Sequence, residues 1–166
     1  FSGRIASGRI KPGDEVMVLP SKTTTKVKDL VTRDQNLSRA QYGDSVTLTM
    51  EDEVDISRGD MIVRRNNVPT QSQYIDAYLC WMNEEALEPG KNYLLKHTSQ
   101  VVSMHVETIH YRMNVDTLSQ EDTPSLALNE IGRVQITTSK ALFIDPYKIN
   151  KITGSFIVID PASNVT

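Results

Sequence analysis

Short runs of alternating apolar and polar residues, each cut off by a turn, make up most of this chain, and helical periodicity is nearly absent. A period of two places successive side chains on opposite faces of a strand, so the chain reads as all-β. Residues 3–6 alternate and stop at Ser7-Gly8. Lys11-Pro12-Gly13-Asp14 is a turn with a mechanism: Pro presets φ at its second position and Gly accepts a positive φ at its third. Strands are expected at 15–19, 23–31, 45–50 and 60–65, with a further turn at Ala40-Gln41-Tyr42-Gly43-Asp44.

The texture changes at Asn66-Asn67-Val68-Pro69-Thr70-Gln71-Ser72-Gln73, which is polar and nearly lacks apolar anchors. This is a linker composition. The expected division is a first unit at 1–66, a linker at 67–73 and a second unit at 74–166. Further strands are expected at 75–82, 92–96, 101–111, 133–137, 141–144 and 154–160, with a polar loop at 118–125. Two sets of about six short strands are more naturally two small closed β-barrels than two open sheets, because closure removes exposed edges.

Composition narrows the function. The net charge of −3 is too small for long-range steering and argues against a dedicated nucleic-acid binder. No apolar run approaches the roughly 20 residues that span a bilayer, so no membrane partner is expected. No segment reads as a signal peptide, and a single cysteine, Cys80, fits a reducing cytoplasm. Phe1-Ser2-Gly3-Arg4-Ile5 reads as the middle of a strand, so the chain is expected to be part of a longer one.

Each candidate site has an ordinary explanation. Gly90-Lys91 lacks the glycine-rich cradle of a phosphate loop, and Asn150-Lys151-Ile152-Thr153 lacks the Asp of a guanine-reading N-K-x-D. Glu51-Asp52-Glu53-Val54-Asp55 lacks the ligand alternation of a calcium loop and reads as a solvated loop. His105 and His110 stand five apart, which in a regular strand puts them on opposite faces; with His97 they read as structural or surface residues. Cys80, beside Trp81 in an apolar run, reads as a buried, inert thiol. Arg4, Arg9, Lys11, Lys22, Lys26 and Lys28 have few aromatic neighbours to stack bases and read as edge-strand charges. The sequons at Asn36 and Asn164 read as coincidental. No catalytic, cofactor-binding or metal-ligating residue is assigned.

Ser2-Gly3-Arg4-Ile5-Ala6-Ser7-Gly8-Arg9-Ile10-Lys11-Pro12-Gly13-Asp14-Glu15-Val16 resembles the opening of the second domain of translation-factor GTPases. Ala40 to Val46 and Ile56-Ser57-Arg58-Gly59-Asp60 resemble its closing elements. The second half is similar to the GTP-regulated large subunit family of bacterial sulfate adenylyltransferase. The blocks are Trp81-Met82, Pro89 to Lys96, Asn114-Val115-Asp116-Thr117-Leu118, Leu126 to Gly132, and Asp145-Pro146-Tyr147 with Asn150 to Asp160. The resemblance implies two β-barrels, domain 2-like and domain 3-like, that follow an N-terminal GTPase domain holding GTP and Mg. It implies a small-subunit partner that uses ATP and sulfate to make adenosine 5′-phosphosulfate and diphosphate. It leaves this stretch with docking and relay of the nucleotide state. A translation-type barrel pair that holds an aminoacylated RNA end is the alternative.

Overall fold

The computed structural model describes residues 1–33, 35–163 and 165–166; the sequon at Asn164 lies outside them. The described residues form strands and turns without a helix. The chain divides into two compact units, Phe1–Pro69 with Asp145–Gly154, and Thr70–Ile144 with Ser155–Thr166.

The first unit carries β1 (Ser2–Arg4), β2 (Arg9–Ile10), β3 (Glu15–Leu19), β4 (Thr23–Thr32), β5 (Gln35–Asn36), β6 (Ala40–Gln41), β7 (Ser45–Met50) and β8 (Met61–Val63). Its main sheet runs β1-β7-β4-β3-β8, and β2 pairs with β6. Alternation in β3, β4 and β7 turns Val16, Val27, Leu30, Val46 and Leu48 inward to one apolar cluster.

The second unit carries β9 (Thr70–Cys80), β10 (Asn92–His97), β11 (Gln100–Met113), β12 (Gln120–Glu121), β13 (Ile131–Ile144) and β14 (Ile157–Ile159). The order is β14-β10-β11-β13-β9, all antiparallel, over a core that includes Leu79, Trp81, Leu95, Met104, Leu126 and Ile136. Trp81 packs edge-on against Tyr93 at 5.4 Å, and its Nε1 donates to the Glu85 carbonyl at 2.7 Å. Trp81 is thus buried without stranding its one polar group.

Two expectations about elements change. Thr70 to Gln73, read as linker, begin β9: Thr70, Gln71 and Ser72 stand opposite Ile144, Phe143 and Leu142 of β13. Backbone pairing does not need an apolar side chain, so a polar stretch extends the strand. The segments 133–137 and 141–144 are one strand, β13, whose register against β9 shifts between Thr137 and Leu142. An irregularity of this kind bends a strand without ending it.

One turn design recurs. In Lys11 to Asp14, Gln41 to Asp44 and Ser57 to Asp60, the last N–H donates to the first carbonyl and the Asp carboxylate accepts the first N–H, at 3.1, 2.9 and 2.8 Å. The third residue is Gly each time, at φ +84° for Gly13, where a Cβ would be strained. Ala127-Leu128-Asn129-Glu130 repeats the design with Asn129 at φ +66° and a Glu carboxylate reaching the Ala127 N–H at 2.8 Å.

Candidate interaction surface

β9, β13 and β11 lie side by side, and residues in register on their outward face form rows. Arg133 on β13 stands opposite Tyr78 of β9 on one side and Tyr111 of β11 on the other. The two tyrosine hydroxyls share a hydrogen bond of 2.7 Å above the middle strand, with the rings edge-on at 6.4 Å. The Arg133 guanidinium lies 5.9 Å from the Tyr78 ring centre and makes a bidentate contact to Asp76, Nε to Oδ1 at 3.0 Å and NH2 to Oδ2 at 2.7 Å.

The electrostatics follow from these contacts. Arg133 holds the Asp76 carboxyl below its ordinary value, against the opposing effect of partial burial. Asp76 in turn raises the Arg133 pKa, and Tyr111 raises that of Tyr78 by hydrogen bonding. The result is a charge-balanced plate of aromatic and guanidinium surface whose side chains are linked by hydrogen bonds. Tyr74, 68% exposed, extends it along β9.

The histidines depart from the sequence expectation. β11 carries irregularities between Val106 and Thr108 and between Ile109 and Tyr111. The first adds a residue to the alternation, so His105 and His110 both reach the outer surface. They do not converge. His105 Nε2 lies 2.9 Å from Glu107, which also accepts from Thr137 Oγ1 at 2.7 Å, whereas His110 Nε2 lies 4.0 Å from Asp76. His97 is buried.

Cys80 is exposed, against the expectation of a buried thiol. In β9 the even positions Tyr74, Asp76, Tyr78 and Cys80 face outward, and Ile75, Leu79 and then Trp81 face the core. An apolar-rich sequence concealed that period of two.

Several other candidates make local contacts. Lys91 Nζ bonds Glu85 at 2.8 Å and lies 3.5 Å from Glu88. Asn150 is buried, and its Oδ1 accepts the N–H groups of Ile152 and Thr153 inside its own loop. Asp52 accepts from Thr25 Oγ1 at 2.9 Å. Lys26 stands opposite Glu15, and Arg64 bonds Asp14 at 3.0 Å, so basic residues of the first unit are interleaved with acids. A groove of about 430 Å³ on that unit is lined in part by Ser2, Thr32, Arg33 and Thr47. Among the described residues no group of three or more His, Cys, Asp or Glu is placed to hold a metal ion. Among the described residues no helix is long and apolar enough to cross a membrane.

Sequence reasoning missed the Tyr78–Arg133–Tyr111 row. Its signal was present only as outward positions in three separate strands, and their pairing decides which residues meet.

Two family models match the chain: elongation factor Tu domain 2 over residues 1–63, and GTP-eEF1A C-terminal domain-like over residues 74–166. The bifunctional enzyme CysN/CysC of Rhodopirellula baltica is 50% identical over all 166 residues, which cover 26% of that protein. Sulfate adenylyltransferase subunit 1 of Bacteroides fragilis is 46% identical over 166 residues, 100% of this chain and 35% of that one. Subunit 1 of Cellvibrio japonicus gives the same figures, 46% and 35%. The chain thus spans about a quarter to a third of the length of these relatives. Among solved structures, sup35 complexed with GDP aligns with a TM-score of 0.87 at 17% identity, covering 99% of this chain and 41% of that one. Elongation factor SelB of Methanococcus maripaludis aligns at 0.70 and 20% identity, covering 87% and 32%. At such identity these two show the fold alone. The chain belongs to the GTP-eEF1A C-terminal domain-like family over residues 74–166, its residues 1–63 match elongation factor Tu domain 2, and along its whole length it is a homologue of sulfate adenylyltransferase subunit 1.

Proposed function

We propose that this barrel pair is the non-catalytic part of a GTP-regulated large subunit of sulfate adenylyltransferase and that it works in the cytoplasm. It docks the small subunit and passes on the state of GTP and Mg held in a separate domain of the same protein. The small subunit joins sulfate to the α-phosphorus of ATP, giving adenosine 5′-phosphosulfate and releasing diphosphate. The observation that carries docking is the hydrogen-bonded row of Tyr78, Arg133 and Tyr111. Tyr and Arg are among the residues that most often dominate binding energy at protein interfaces, and side chains linked before contact lower the entropy cost of association. Because Asp76 already balances Arg133, the row favours a protein face over a polyanion. The whole-length match to subunit 1 proteins supports a second subunit of that enzyme as the partner.

The test is titration of the full-length large subunit with purified small subunit by calorimetry, with GTP or GDP present. Tyr78→Ala should weaken binding about tenfold or more, as truncation of an interface anchor does. Affinity should also differ between the two nucleotides, because coupling between sites is reciprocal. Unaltered affinity for Tyr78→Ala and Arg133→Ala would sink the docking row.

A further inference from the structure

Beyond the tyrosine row, β11 runs through Arg112 and Met113 into a hairpin tip, Asn114 to Ser119, before β12 pairs back onto it. The tip exposes two apolar side chains, Val115 at 62% and Leu118 at 75%. Leu118 also sits at φ +57°, a left-handed conformation that strains a leucine and is here not offset by packing. The tip is nevertheless firmly held. Asn114 Oδ1 accepts the N–H groups of Asp116 and Thr117 at 3.0 and 3.1 Å. Its Nδ2 donates to Glu121 at 2.8 Å, and Glu121 accepts from Arg112 at 2.7 Å.

The charge of the stretch that carries this apolar pair is net negative. Arg112 is paired with both Glu121 and Glu130, and from Met113 to Gly132 the sequence has four acids, Asp116, Glu121, Asp122 and Glu130, and no Lys or Arg. Such a surface repels nucleic acid and anionic bilayers, so its complement is a protein socket with an apolar floor and a rim of Lys or Arg.

We infer that Val115 and Leu118 form an apolar plug that inserts into a basic-rimmed socket on the small subunit. The choice of occupant rests on the docking reading above. It is supported by the tip's opposite-charge requirement and by its continuity, along the same strand, with Tyr111. An ordered tip arrives without the entropy cost of closing a loop, which suits an anchor.

The full-length large subunit and the small subunit are titrated by calorimetry at low and high salt. Val115→Ser with Leu118→Ser should weaken binding about ten- to a hundredfold, the range expected for withdrawing one or two buried aliphatic side chains. Asp116→Lys should weaken it further at low salt than at high salt. Leu128→Ser, on a different turn, should leave it unchanged, and melting midpoints should stay level across the set. If wild type binds and the tip variants bind equally well, the plug is wrong while docking stands. If Asp116→Lys tightens binding, the basic rim is wrong. If wild type does not bind, docking fails and the plug with it. If the tip variants alter only self-association of the large subunit in sedimentation, the occupant is a second copy and the inference is overturned.

Discussion

Arg112 and Glu130 are joined across the start of β13: the Arg112 NH1 group donates to Glu130 Oε1, while Oε2 of the same carboxylate accepts the Ala127 N–H at 2.8 Å. One side chain therefore closes a turn and fixes a strand end. Glu130→Ala removes both contacts and should lower the stability of the second unit by about 1–3 kcal/mol, as measured by urea unfolding followed through Trp81 fluorescence. Glu130→Gln should lose less, because an amide oxygen can still accept the turn N–H.

Glycine at two positions answers two different demands. At Gly154 a Cβ would lie 2.5 Å from the Tyr147 Cα and 2.7 Å from the Asn150 carbonyl oxygen, whereas at Gly13 it would meet nothing within 4 Å. Gly13→Ala should cost about 1–2 kcal/mol through its positive φ alone. Asn, which tolerates that conformation, should recover part of the loss at position 13 but none at 154. Thermal midpoints of the four variants check this.

Acid should weaken the second unit through Asp76. Its folded pKa is depressed by Arg133, below the ordinary value of about 3.9 for an unfolded chain. The stabilisation is therefore complete above that value and is lost as pH falls through the depressed one. Stability measured from pH 6 downward should decline in this window, and Asp76→Asn should flatten the decline. Glu121, depressed by Asn114 and then by Arg112, adds to the same slope.

The exposed Cys80 thiol should react fully with a thiol-titrating reagent in native buffer, with the same amplitude as in denaturant. A buried thiol would react only on unfolding, so the two placements differ in one absorbance reading.

The sequence alone determined the class of fold, because alternation and the turns at Gly13, Gly43 and Gly59 are local: each needs only a few consecutive residues to set backbone conformation. It also showed where the chain resembles known blocks, since those are contiguous. It misplaced Cys80, because its apolar neighbours hid which alternate positions face outward, and it put His105 and His110 on opposite faces because an irregularity in β11 is invisible to a count of residues. Polar residues hid the start of β9 for a related reason: backbone pairing is set by the partner strand, not by the side chains of the strand itself. The tyrosine row was beyond sequence reasoning altogether. Tyr78, Tyr111 and Arg133 come from three strands far apart in the chain, and only antiparallel pairing in a fixed register brings them onto one face.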